Sequence, residues 1–176
     1  MPEENKKQPR YDIDGFDIIT DAITSLLDAY AGYHDTEIAF SALEKDGGIG
    51  WFPVTGAVIT NEHNTITGRV IQSCNYPLYV VFRSNSGQAT RKAFIKEFLD
   101  KLGRWLEGQK ITVNGTDYKL ADYPRLTDGR AITSVRRQSP AYLSETLEDG
   151  TEDWAISIAL TYKNEYFKGD RIAWQN

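Results

Sequence analysis

Three glycines, Gly47, Gly48 and Gly50, fall within four positions of the stretch AFSALEKDGGIGWFPVTGAVIT, residues 39–60. Glycines so spaced can cradle a phosphate, because backbone without Cβ atoms approaches the anion closely and a following helix points its N–H groups at it. Gly48 and Gly50 match the first two glycines of G-x-G-x-x-G, but Pro53 stands at the third. The next residues, WFPVTGAVIT, are rich in β-branched side chains and hold a proline and a further glycine, so a strand is expected and no helix begins. The phosphate reading fails on that context, and no cofactor is expected.

Other groups that could do chemistry are sparse. His34 and His63 sit in no zinc-binding spacing, and Cys74 is the single cysteine, so no multi-thiolate metal site and no internal disulfide can form. G-x-S-x-G is absent, and Ser84 to Gly87 (SNSG) reads as a turn before a helix. The acidic run ETLEDGTED, Glu145 to Asp153, lacks the ligand spacing of a calcium loop and reads as a hairpin turn around Asp149-Gly150. Trp51, Phe52, Trp105 and Trp154 fall on helix or strand faces and are expected in the core; Trp174 has no assigned face. No catalytic or metal-binding residue is assigned, and the chain is read as a non-enzyme.

The 176 residues are 40% hydrophobic and carry a net charge of −5, the composition of one globular domain without general attraction to nucleic acid. Local basic groupings remain: Arg83, Arg91 and Lys92, and a candidate basic loop with Arg130, Arg136 and Arg137 near Arg125. The start, MPEENKKQPR, is charged and is no signal peptide, and no run of about 18 apolar residues could span a membrane. Residues 1–10 are expected to be a disordered tail and residues 11–176 one α+β domain.

The elements that must position these residues emerge from periodicity. Phe16, Ile19, Ile23, Leu26, Leu27 and Tyr30 form one apolar stripe, predicting a helix over 16–31 capped by Asp14 or Asp17 and closed by Gly32. A second helix is expected over TRKAFIKEFLDKLGRWLEG, with Thr90 as N-cap and Gly108 past its end. Its pairs Glu97–Lys101 and Asp100–Arg104 contribute about 0.3 kcal/mol each. Burial of its seven large apolar side chains, at roughly 1.5–3 kcal/mol each, dominates.

Strands are expected in TEIAFSAL, in WFPVTGAVIT and in residues 65–84, where GAVIT makes a hairpin through a turn at Asn61–Asn64. Pro77 should mark an edge or bulge. Asn114-Gly115 predicts a type I′ hairpin, and AITSV a short strand within the loop-rich 121–140. In the last strand Trp154, Ile156, Ile158, Leu160 and Tyr162 alternate with the small Ala155, Ser157, Ala159 and Thr161. That small face can meet solvent or a neighbouring chain. The whole predicts an α+β fold, a mainly antiparallel sheet flanked by two amphipathic helices.

The helix closing at AYAGY, the stretch TEIAFSALEKDGGIGWFPVTGAVIT, the strand ending VVFRS and the helix ending LGRWLEG together resemble the minor capsid proteins of tailed phages and prophages of Gram-positive bacteria. These are similar to siphophage tail terminators, and the resemblance spans residues 16–162. It implies a homo-hexameric ring, located in the virion tail and assembled in the host cytoplasm, that caps the tail tube and receives the head. Implied partners are the major tail tube protein and a head-tail connector, with DNA passing through without sequence-specific binding and no membrane involved. Under it the glycine stretch is a mobile loop between strands. Gly47, Gly48, Gly50, Ala155, Ser157, Ala159 and Thr161 are then the candidate subunit or tube interface. The tail 1–10 and the acidic hairpin match no role in that family. Two alternatives stand beside this reading: another neck or tail-completion protein, and a small ligand- or carbohydrate-binding module built on exposed aromatics.

Overall fold

The computed structural model describes residues 8–45 and 47–170. Two strands of 16 residues carry its main sheet. β4 (Arg69–Ser84) and β9 (Glu152–Phe167) run antiparallel in one unbroken register, from Arg69 opposite Phe167 to Ser84 opposite Glu152. Shorter strands line their outer sides in pairs. β3 (Val58–Asn64) and then β2 (Gly48–Pro53) lie along β4, while β7 (Arg130–Arg137) and β8 (Tyr142–Thr146) lie along β9. All these pairings are antiparallel; β1 (Ala39–Phe40) adds a two-residue parallel contact to β2. β5 (Ile111–Val113) and β6 (Thr116–Tyr118) form a separate hairpin.

Period-two alternation decides which side is buried. In β4, Val70, Gln72, Cys74, Tyr76, Leu78, Val80 and Phe82 are all buried. In the register above they stand beside Ile156, Ile158, Leu160 and Tyr162 of β9 on one face. Helices α1 (Gly15–Tyr33) and α2 (Ala89–Leu106) both pack on that face, giving two layers. The helices meet through aromatics: the Tyr30 ring lies edge-on to Phe98 at 5.1 Å, and its hydroxyl donates to the Phe98 carbonyl at 2.6 Å. Burial in the low-dielectric core pushes the Tyr30 hydroxyl up, with the Glu97 charge adding to the shift.

The apolar stripes and the alternating strand are where the sequence placed them, except that Phe94 is 43% exposed at the start of α2 and only the other six of its seven apolar side chains are buried, and several local expectations are corrected. Asp14 stands at the N-cap of α1 but has helical backbone and no capping hydrogen bond. Gly32 lies inside the helix, and the left-handed residue is Asp35. α2 starts at Ala89 with Gln88 before it, so Thr90 is not its cap; Gly108 does come after its end, with φ +77°. The Glu97–Lys101 pair forms at 2.6 Å, whereas Asp100 accepts a bond from the Ala141 N–H. TEIAFSAL contributes only Ala39–Phe40, and the β3–β4 turn lies at Thr65–Gly68, beyond the expected Asn61–Asn64. At Asn114-Gly115, φ values of 50° and 80° give the expected turn.

Pro77 sits in the central strand β4, not at an edge or bulge. Its carbonyl accepts from the Val54 N–H at 2.9 Å, so its missing donor points to the same side. There the partner changes from β3, which ends opposite Asn75, to β2, which starts opposite Leu78. No ladder bond is lost.

A buried polar network closes the lower end of the sheet. Arg130 grips Asp12 with two hydrogen bonds of 2.8 and 2.7 Å, and the Tyr162 hydroxyl donates to the same carboxylate at 2.7 Å. The Arg130 side chain is fully buried. Burial works against its charge, but the bonds and charge of Asp12 outweigh this and hold the guanidinium above its ordinary value. Next to it, Asn164 donates to Gln72, and Gln72 donates to Glu62. The Gln72 bond, aided by Arg10, holds the Glu62 carboxyl below its ordinary value. The Arg10 carbonyl also accepts from the Ile59 N–H, joining this residue to the sheet; residues 1–7 lie outside the described residues.

Asp12→Ala leaves the Arg130 charge buried without its partner and should destabilise the fold by about 3–5 kcal/mol in denaturant unfolding. The volume-matched pair Asp12→Leu with Arg130→Met should recover most of that loss. Glu62 and Glu107 are both depressed below the ordinary glutamate value of 4.5. Their stabilisation is therefore complete above that value and lost as pH falls through the lower folded values. The Glu62→Gln variant should show a shallower decline of thermal stability below pH 4.5 than the parent.

Candidate functional site

The sheet face opposite the helices is where the expected interface residues meet. Across β2, β4 and β9, Gly50, Val81 and Ala155 stand side by side, and Gly48 lines up with Arg83 and Asp153. Farther along, Phe52, Tyr79 and Ser157 align, then Pro77 and Ala159, then Asn75 and Thr161. β7 extends the surface with Arg136 beside Ala159 and Ser134 beside Thr161. Gly48, Gly50, Ala155, Ser157, Ala159 and Thr161 thus share one face. Most of its members are half-buried with no helix above them. Gly47 lies just before β2.

The glycines are explained by what crosses this face. A Cβ on Gly50 would stand 2.2 Å from the Ala42 carbonyl oxygen, and one on Gly48 would meet the Glu44 side chain. The backbone around Ala42 and Glu44 thus runs over β2 at Gly50 and Gly48, and Val81 and Ala155 in the same row as Gly50 are buried. Gly48 and Gly50 are therefore strand residues under a crossing backbone, not a mobile loop between strands. Their lack of side chains lets two stretches of main chain touch.

Aromatic side chains divide differently from expectation. Trp51 and Trp105 are fully buried and Trp154 half-buried in the helix-side core. Phe52 faces the open side, stacked on Tyr79 at 5.5 Å. Trp174 lies outside the described residues. His34 comes directly after α1 and is wedged against Phe98 at 4.6 Å and Tyr30 at 4.9 Å, so burial, with the Lys101 charge, lowers its pKa. Among the described residues no three His, Cys, Asp or Glu side chains stand close enough to hold a metal.

The candidate basic loop is a strand, and only Arg136 of its three arginines is exposed. Arg130 turns into the Asp12 network. Arg137 makes two side-chain bonds to Glu107, whose carboxylate also accepts from the Arg137 backbone N–H at 2.9 Å and from the Gln109 side-chain amide at 3.2 Å. Burial would raise the Glu107 carboxyl, but the Arg137 contacts outweigh it and hold it low. Arg83 and Lys92 pair with Asp153 and Glu152 of the acidic run, and Arg91 lies over the rings of Phe82 and Phe94. The turn at Asp149-Gly150 forms as expected, with Gly150 at φ +83°. Sequence order could not reveal these pairings: Asp12 and Arg130 are 118 positions apart.

The open cleft at the sheet's lower end is lined mostly by charged side chains, including Asp14, Arg69, Asp128 and Glu165, with Tyr166 and Phe167 as its aromatics.

No protein-family profile matches this chain, and no curated protein matches it. Among solved structures, it is similar to a chain of one described as the virion of a native gene transfer agent particle. The match has 12% identity and a TM-score of 0.56, covering 88% of this chain and 100% of that one. A second solved chain aligns at 15% identity over 86% of this chain and 96% of its own, with a TM-score of only 0.41. At such identities the first match shows a shared fold: a mainly antiparallel α+β architecture that also occurs within a virion particle.

Proposed function

We propose that this protein is a structural component of a phage-like virion, and more finely a tail terminator at the head-tail joint. In this reading six copies form a ring that ends growth of the tail tube and offers a surface to the head. The tube protein and a head-tail connector are its neighbours, and its place is the virion tail after assembly in the host cytoplasm. The observation that carries the reading is the fold shared with the virion chain over that chain's full length. The sequence resemblance to minor capsid proteins points the same way.

Two features of the molecule support it. The open face is built of small and half-buried side chains, Ser157, Ala159 and Thr161 among them, which a neighbouring subunit can cover closely. Part of the positive charge is also committed to ion pairs. Arg10, Arg69, Arg83, Lys92, Lys101, Lys110, Arg130 and Arg137 each hold an ion pair. A chain with net charge −5 would let DNA pass without gripping phosphates.

Deleting the gene from its phage or prophage and imaging the lysate tests the finer reading. Overlong or irregular tails beside filled, detached heads are expected. Tails of normal length with detached heads would assign another neck position, and intact virions would overturn the structural role. In the same complementation system, Ala159→Glu should leave the melting temperature nearly unchanged, because a half-exposed site away from caps and core shifts stability within about 0.5 kcal/mol. It should nonetheless fail to restore normal particles. Full rescue would show that the open face meets no neighbour.

A further inference from the structure

We propose that β8 is an edge that takes up an extended, cationic segment of a partner polypeptide, adding a strand to the main sheet. The way the sheet treats its edges carries this assignment, independently of the virion reading.

Unpaired strand edges invite other chains, and folded proteins blunt them. Here two are blunted. Along β3 the segment Arg10–Asp12 runs antiparallel, with the Asp12 N–H donating to the Ala57 carbonyl and the Ile59 N–H to the Arg10 carbonyl, both at 2.8 Å. Along β7 the edge donors find side chains: the Val135 N–H bonds the Tyr123 hydroxyl and the Arg137 N–H bonds the Glu107 carboxylate. β1 is two residues long. β8 differs. All five of its residues are exposed, it pairs with β9 alone, and among the described residues nothing bonds its outer backbone.

Its side chains define what fits. Tyr142 and Leu143 are 42% and 45% exposed. By register Tyr142 lies with Ala155 on the open face and Leu143 with Trp154 on the helix side, so apolar surface awaits cover on both sides of the edge. The charge is acidic. Glu145, Glu148 and Asp149 lie on the strand and its turn, and no lysine or arginine occurs from Gln138 to Tyr162. Arg83 and Lys92 hold ion pairs with Asp153 and Glu152, and among the described residues the acidic turn is otherwise offset only at longer range, by Arg83 on Glu145 and Asp149 and by Lys45 on Asp149. A second copy's β8 would bring the same carboxylates and no cation, and like charges across a pair destabilise it. The fitting partner is a strand with backbone groups to complete the ladder, an apolar residue for Tyr142 or Leu143, and Lys or Arg for the acidic turn.

A probe with this chemistry is the peptide Arg-Ala-Ile-Thr-Ser-Val-Arg-Arg, with Glu-Ala-Ile-Thr-Ser-Val-Glu-Glu as its charge-reversed control. Hydrogen exchange of the full chain with each peptide reads the site directly. The cationic peptide should slow exchange severalfold at residues 142–146, the acidic one should not, and the double variant Glu145→Lys, Glu148→Lys should lose the effect while keeping its melting temperature. Protection absent, located elsewhere, or equal for both peptides would overturn the proposal. Protection of 142–146 that grows with protein concentration and needs no peptide would also overturn it, by making the partner a second copy.

Discussion

The pairing of β4 with β9 is the constraint on which the other features depend. Sixteen residues of each strand stay in one register, and a slip of a single residue would exchange the two faces along the whole length. Slippage of β9 would then point Ile156 away from the helices and turn Asp153 into the core. The cost of burying that charge and exposing that apolar surface fixes the register, and the register in turn fixes the positions of β2, β3, β7 and β8. Because two short strands share each outer side, a gap in hydrogen bonding exists midway along β4. Pro77 occupies it.

That ladder produces a molecule with one covered and one open sheet face. Both helices lie on the large apolar side, joined by Tyr30, Phe98 and Trp105. The other side carries small and mildly polar residues together with the Phe52–Tyr79 stack, and near β2 it is crossed by backbone around Ala42 and Glu44, which Gly50 and Gly48 let approach the strand. A one-sided two-layer fold of this kind has surface to spare for contacts with other subunits. Its buried polar groups include the Asp12, Arg130 and Tyr162 cluster and the adjoining Gln72–Asn164 pair, which tie the N-terminal segment, β7 and the two long strands together, while Asp153 is buried against Arg83 at the other end.

Much of this is legible in the sequence wherever a short repeat carries the signal. The alternation of Trp154 to Tyr162 names both faces of β9, the apolar stripes name both helices, and Asn114-Gly115 names its turn. The departures have physical causes. Helix caps depend on a backbone angle at one residue, and neither Asp14 nor Thr90 makes the bond its type suggests. Pro77 escapes the edge-or-bulge rule because its tolerance depends on where neighbouring strands end. The glycines suggest flexibility, whereas close approach of the Ala42 carbonyl requires Gly50, and a φ of +111° beside Glu44 favours Gly48. Arg130 and Arg137 read as a basic loop because their carboxylate partners, Asp12 and Glu107, lie far off in sequence.

Immunogold labelling of purified particles, with antibody raised against this chain, tests the central claim most directly. The account predicts a single cluster of label at the junction of head and tail. Label along the tube, or particles without any label while the free protein binds the antibody, would contradict it.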